Sequence, residues 1–252
     1  MKPQGLPCPV CDATCALLDV VDFNKSCEEA RGKFLRLAGV PIYYARCGSC
    51  AFCFAPAMHG WTLEEFEQRV YNDQYALVDP DYLKVRPQAN AANLVAMLGE
   101  QAHNVRHLDY GGGNGLLADI LRRANWRSTS YDPFVDRDVT VDQLGKFDLV
   151  TAFEVFEHVP DVRRLMSDLR TLLAPDGIVL FSTLLSDGKI LPEKRIDWWY
   201  ASPRNGHISL FSRKSLGILA QAHGFRFGSF SAGFHAFHTR VPPWARNVIR
   251  GR

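Results

Sequence analysis

The chain has 252 residues, a formal net charge of +2 and 47% hydrophobic residues. That length supports a sizeable core in one large domain, with or without a small module, and the near-neutral body lacks the basic stripe of a dedicated nucleic-acid binder. No apolar run reaches the roughly 18–20 residues that span a bilayer. The start, MKPQGLPCPVCD, has no apolar signal core, so a cytoplasmic location with reduced thiols is expected.

All seven cysteines lie within residues 1–53. This composition shift predicts a small module over 1–57, a helical linker or lid over 58–100, an α/β domain over 101–240 and a basic tail over 241–252. Two pairs have the form of zinc ligands, CPVC (Cys8, Cys11) and CGSC (Cys47, Cys50). A two-residue gap lets both thiolates face one ion, and two such knuckles complete a tetrahedral site. The 35 residues between the pairs exceed the usual spacing. CAFC (Cys50, Cys53) offers another such pair, and Cys15 is nearby. Cys8, Cys11, Cys47 and Cys50 are the expected set for a structural Zn2+, with Cys27 and Cys53 in the core. GKFLRLAGVPIYYARC reads as a hairpin between the pairs.

WTLEEFEQRVY opens a helix, with Thr62 as N-cap and Glu65 three residues on. QANAANLVAMLGE carries Leu94, Val95 and Leu98 on one face and stops at Gly99. NDQYALVDPDYLKVRP between them reads as a loop. Beyond residue 104 strands and helices alternate. VRHLDY, STSYDP, FDLVTAF and GIVLFSTL read as strands. GLLADILRRA, VRRLMSDLRTLLA and SRKSLGILAQAHG read as helices, the last opened by Ser212. FRFGSFSAGFHAFHT reads as two final strands. Such alternation predicts a mostly parallel, doubly wound sheet.

HLDYGGGNGLLADI puts a glycine loop after the first of these strands, where open α/β sheets bind ligands. Glycines allow close backbone approach, and the helix start that follows offers free N–H groups. Gly111, Gly113 and Gly115 fit G-x-G-x-G. The dinucleotide fingerprint would need glycine where Leu116 stands.

At these residues the sequence resembles the class I S-adenosylmethionine-dependent methyltransferases. LDYGGGNG matches their first motif, with Asp109 as its acidic residue and Tyr110, Gly111, Gly112 and Gly113 following. Asp132 in SYDPF, 17 residues beyond Gly115, matches the acidic residue that takes the ribose hydroxyls in that family, with Pro133 and Phe134 flanking the adenine. FEVFEHVPD matches an E-x-x-E-H signature with Glu154, Glu157 and His158. The resemblance covers roughly residues 104–240 and implies S-adenosyl-L-methionine as cofactor, held by these residues and Glu154. DVTVDQLGK lacks the family's clear third strand; Val141 and Asp142 stand in its place.

Histidine suits a base working near neutral pH. His158 follows the fourth strand, and His207 lies in WWYASPRNGHISLFS; Trp198, Trp199 and Tyr200 precede it. A looser resemblance is to bacterial deoxysugar C-methyltransferases, which pair an N-terminal cysteine zinc module with a tyrosine-rich segment, here YNDQYALVDPDY, and a histidine-bearing stretch, here GHISLFS. It implies that Tyr71 or Tyr75, His158 and His207 line the active site. Gly206 departs from that family's glutamate, and its additional C-terminal domain is not matched. The expected reaction is methyl transfer to a small hydroxylated or sugar-like acceptor. An RNA acceptor, a non-catalytic cofactor-binding module and a nicotinamide oxidoreductase are the competing readings. Oligomeric state is not legible.

Overall fold

The computed structural model describes residues 5–246. The chain's first four residues and residues 247–252, including Arg250 and Arg252 of the expected basic tail, lie outside the described residues. In chain order the strands are β1 (Leu6–Pro7), β2 (Thr14–Asp22), β3 (Pro41–Cys47), β4 (Cys53–Phe54), β5 (Arg106–Tyr110), β6 (Arg127–Tyr131), β7 (Phe147–Phe153), β8 (Leu173–Ser182), β9 (Ser209–Leu210), β10 (Arg226–Ser229) and β11 (Phe234–His238). The helices are α1 (Pro56–His59), α2 (Leu63–Arg69), α3 (Tyr75–Val78), α4 (Val85–Leu98), α5 (Leu116–Arg123), α6 (Val162–Leu172) and α7 (Arg213–Ala222). The chain divides into two compact units. Among the described residues the first takes 5–80, 156–163 and 184–219, and the second takes 81–155, 164–183 and 220–246. No helix among the described residues is long and apolar enough to cross a membrane.

The first unit holds a five-stranded antiparallel sheet of order β1-β2-β3-β4-β9. β3 alternates as a half-buried strand should, with Ile42 and Tyr44 inward and Tyr43 outward. Its partner is β2, in a register running from Cys15–Cys47 to Asp22–Pro41. The hairpin expected within GKFLRLAGVPIYYARC is therefore corrected: 33–40 is an irregular loop, and only 41–47 of that stretch is strand. Gly32 and Gly39 take left-handed conformations, and the Asp22 carboxylate accepts the amides of Asn24, Ala38 and Gly39. The local hydrogen bonds thus fix a loop, and β3 finds its ladder elsewhere. Helix α2 carries the expected capping box between Thr62 and Glu65, and α7 is capped by Ser212, whose hydroxyl accepts the Ser215 amide at 3.0 Å.

The second unit holds a six-stranded mixed sheet of order β10-β11-β8-β7-β5-β6. β6, β5, β7 and β8 run parallel, and β11 and β10 are antiparallel. The β7 residues Leu149, Val150 and Ala152 are fully buried, as both-face burial of a central parallel strand requires. Leu94 and Leu98 of α4 and Leu117 and Leu121 of α5 close a core with Trp126, Leu149, Ile178 and Leu180. Between Asp132 and Phe147 the described residues hold a short 3-10 turn, Val141–Gln143, and no strand, so β6 is the sheet edge. From β5 the chain crosses to β6 on one side and then to β7 on the other. The carboxyl end of β5 is therefore the topological switch point, and Gly111–Gly115 sits there.

Candidate functional site

In the second unit the glycine loop is held from both ends. Gly111 and Gly112 donate to the Tyr131 carbonyl at the end of β6, at 2.8 and 3.2 Å. Gly111 has φ +74°, and a Cβ there would stand 2.5 Å from Val155 Cγ2. Glycine is thus required by conformation and by space. The Gly113 amide donates to Asp132 Oδ2 at 2.9 Å, and the Phe134 amide donates to Asp132 Oδ1 at 2.8 Å. Each carboxylate oxygen is fixed by one backbone donor and retains a second lone pair for a ligand. Asp132 is 9% exposed at the end of β6, and Pro133 and Phe134 follow it directly.

Behind the loop lies a buried polar chain that the sequence does not announce. Ser128 meets His107 Nδ1 at 2.7 Å, and His107 Nε2 meets Thr151 Oγ1 at 2.9 Å. Thr151 donates to Asp109 Oδ1 at 2.8 Å. Burial holds His107 down to about 3, so it is neutral. Burial also pushes Asp109 up to about 7, against the Thr151 hydrogen bond, and the nearby Asp132 adds to the rise. The folded value of Asp109 thus lies above that of a carboxylate in the unfolded chain, about 3.9. The stability linked to its proton is therefore full below about pH 4 and is lost as pH rises through about 7, amounting to about 4 kcal/mol. Asp109→Asn is expected to flatten the stability profile between about pH 4 and 8 and to be the more stable form at the alkaline end. Urea unfolding across that range measures it, and parallel wild-type and variant curves would contradict it.

Tyr110 turns its ring toward Tyr131 and its hydroxyl toward Asp168, at 3.3 Å, leaving its backbone to the loop. Glu154 follows β7 with φ +55°. Ser182 donates to its Oε1 at 2.7 Å, and Arg86 lies 3.6 Å from its Oε2. Left-handed backbone at a glutamate is uncommon and here occurs where β7 ends, facing the same end of the sheet as the glycine loop.

In the first unit His158 and His207 come together, with ring centroids 4.8 Å apart. Tyr71 Oη meets His158 Nδ1 at 3.0 Å, and the fully buried Glu157 brings Oε1 to 3.9 Å from His158 Nε2. The Tyr200 carbonyl accepts from His207 Nδ1 at 2.8 Å, which places the proton on Nδ1. Tyr200 also packs on the His207 ring at 4.2 Å. Trp198 is buried, and its ring meets Tyr200 at 5.1 Å. Cys27, expected in the core, is half-buried and reaches the Ser202 hydroxyl at 3.0 Å. Gly206 has φ +83°, and a Cβ there would lie 3.0 Å from Tyr71 Oη and 3.2 Å from His158 Nδ1. The tyrosine and imidazole therefore occupy the space that a glutamate at 206 would need. Glu157, His158 and His207 bring three metal-ligating atoms within 4.8 Å of one another.

The same unit gathers Cys8, Cys11, Cys47 and Cys50, with all four sulfurs within 4.8 Å of one another. The Cys8–Cys50 and Cys11–Cys47 separations are 3.5 and 3.6 Å. Disulfide sulfurs sit about 2 Å apart, whereas four thiolates at about 2.3 Å from a central ion sit roughly 3.8 Å apart. This donor set fits a closed tetrahedral metal-binding module. Ser212 donates to the Cys50 carbonyl at 2.5 Å and Lys214 to the Ser49 carbonyl at 2.6 Å, anchoring the second knuckle. Cys53 is fully buried as a core residue, and Cys15 is buried on β2, opposite Cys47.

A methyltransferase-domain family matches residues 82–228, more than half of the chain. The chain belongs to that family. A ubiquinone biosynthesis O-methyltransferase of Actinobacillus pleuropneumoniae serotype 5b is 30% identical over 105 residues, covering 31% of this chain and 44% of that protein. A protein of the same description from Acinetobacter baumannii strain AYE is 29% identical over 101 residues, covering 31% and 43%. The chain thus spans less than half the length of these curated relatives. Among solved structures, an O-methyltransferase family protein from Burkholderia thailandensis superposes with TM-score 0.51 at 17% identity, covering 71% of this methyltransferase and 63% of that chain. Human N-acetylserotonin methyltransferase in complex with SAM gives 0.50 at 15%, covering 72% and 61%. Both likenesses are of fold. They agree with the α/β sheet.

Proposed function

We propose that this methyltransferase passes a methyl group from S-adenosylmethionine to a hydroxyl of a small, polyhydroxylated or sugar-like acceptor. The donor would supply a methyl group on a sulfonium; the acceptor oxygen would bond to that carbon as the carbon–sulfur bond breaks and the neutral thioether S-adenosylhomocysteine leaves. The observation that carries the donor half is the Asp132 carboxylate, held by the Gly113 and Phe134 amides with lone pairs to spare. That arrangement suits a vicinal diol, with Pro133 and Phe134 flanking the base. The Gly111–Gly113 backbone, Asp109 and Tyr110 shape the loop for the rest of the donor, and Glu154 stands ready for its amino acid end. The name carried by the ubiquinone biosynthesis relatives favours oxygen as the accepting atom.

His158 is assigned the acceptor's proton. Tyr71 and Glu157 orient its ring, and His207, packed against it with ring centroids 4.8 Å apart, is assigned to hold the acceptor. Loss of a general base lowers turnover by about 10²- to 10⁴-fold. His158→Ala is expected to show that loss with donor affinity changed less than about twofold, and Tyr71→Phe a smaller loss of about tenfold. Single-turnover rates with a panel of sugar and phenol acceptors, beside calorimetry with S-adenosylhomocysteine, make the test. Full turnover in His158→Ala would remove the base assignment. In the cysteine module the proposed ion is Zn2+. With four protein ligands it has no open position, so its part is structural.

A further inference from the structure

Residues 30–41 of the first unit, ARGKFLRLAGVP, are exposed at every position. Phe34 and Leu37 are 75% and 76% exposed, and Leu35, Val40 and the neighbouring Tyr43 are exposed as well. Arg31, Lys33 and Arg36 interleave with them, and the segment contains no acidic residue. So much apolar surface in one short segment of a folded protein marks a place of contact.

The segment is a built feature. Asp22 accepts the Ala38 amide through Oδ1 at 2.9 Å and the Gly39 amide through Oδ2 at 2.8 Å. Asn24 Nδ2 donates to the Arg36 carbonyl at 2.7 Å, and the Phe23 amide donates to the Val40 carbonyl at 2.9 Å. Glu28, itself buried, pairs with Arg31 at 2.7 Å and Lys33 at 2.9 Å. These bonds fix the base of the loop while its apolar side chains stand in solvent.

We propose that the loop 33–40 docks this protein on an anionic lipid surface. Its apolar side chains project outward, as insertion into the acyl boundary of a bilayer requires. Its cations sit among them, at the level of anionic headgroups. Even with Arg31 and Lys33 sharing Glu28, Arg36 leaves the patch an excess of positive charge, and a second copy here would set like charge against like, which opposes self-association through it. Docking by this loop is independent of the methyl-transfer reading, because none of its residues belongs to the donor or histidine clusters.

Co-sedimentation of the full chain with phosphatidylcholine vesicles, with and without phosphatidylglycerol, tests it. The expected result is binding to the mixed vesicles, weaker by about tenfold on phosphatidylcholine alone and falling with added salt. Phe34→Ser with Leu37→Ser is expected to lower binding to the mixed vesicles at least about tenfold with an unchanged melting temperature. Lys33→Ser with Arg36→Ser is expected to abolish the preference for phosphatidylglycerol. No vesicle binding, or binding indifferent to the Phe34 and Leu37 changes, overturns the proposal. Vesicle-independent dimerisation that those changes abolish would assign the loop to a second copy and overturn it equally.

Discussion

Stripping the proposed metal from the four-cysteine module is expected to cost the first unit its cooperative fold. Structural zinc sites contribute an apparent 10–16 kcal/mol to folding in small metal-dependent domains, so one ligand's share is about 3 kcal/mol. Cys47 is the ligand whose loss should be felt most. It is fully buried at the end of β3, its amide donates to the Phe52 carbonyl, its carbonyl accepts the Ala51 amide, and its sulfur accepts the Cys50 amide at 3.4 Å. Cys47→Ser should therefore destabilise by at least about 3 kcal/mol, and a chelator should lower the melting temperature of the wild type but not of the variant. Cys53→Ser, outside the ligand set, should leave metal content at one ion per chain. The measurement is elemental analysis beside thermal unfolding with and without chelator. A chain that carries no bound metal and melts identically under both conditions would remove the metal from the fold.

Asp132→Ala carries the second large effect. It deletes the acceptor for two loop amides and the proposed clamp for two ribose hydroxyls together. A lost hydrogen bond to a charged group is worth about 1.5–3 kcal/mol, so donor affinity should fall at least tenfold, about 1.4 kcal/mol, and a hundredfold is within reach. Asp132→Asn separates the two duties. Its amide can still accept from one of Gly113 and Phe134, so the loop should keep most of its shape, whereas the charge that strengthens the hydroxyl contacts is gone. Calorimetry with S-adenosylmethionine, S-adenosylhomocysteine and NAD on the three forms is the readout. Unchanged adenosyl affinity in Asp132→Ala, or tight binding of NAD alone, would overturn the donor assignment.

What the sequence discloses and conceals follows the range of the interactions. The glycine loop, Asp132 after β6 and the paired cysteines are local patterns, in which spacing alone fixes geometry. The alternation of apolar strands with amphipathic helices is local too: FDLVTAF folds as its period demands, and VRRLMSDLRTLLA does so as far as Leu172, its last two residues opening β8. His107 is different. On a strand it reads as one more inward position, and only the meeting of β5, β6 and β7 reveals Ser128 and Thr151 on its two nitrogens. The pairing of Tyr71 with His158 likewise joins positions 87 residues apart. In GKFLRLAGVPIYYARC the apolar pattern suggested two strands. The contrary signal was Asp22, a side chain whose three backbone partners lie up to 17 residues away.

The pairing of β4 with β9 gives the small sheet a timetable. Its first four strands are complete once Phe54 has been made, but the strand that covers the β4 edge arrives with Ser209 and Leu210, about 155 residues later. At 5–20 residues per second the ribosome needs on the order of 8–30 s to deliver it. During that interval the cysteine module can gather the proposed ion while one edge stands open, and an open edge invites strand pairing with other chains. Early capture of metal would then serve the nascent chain as much as the finished enzyme. Metal-starved cells should accumulate aggregates of this protein during synthesis, before any deficit of activity in molecules already folded.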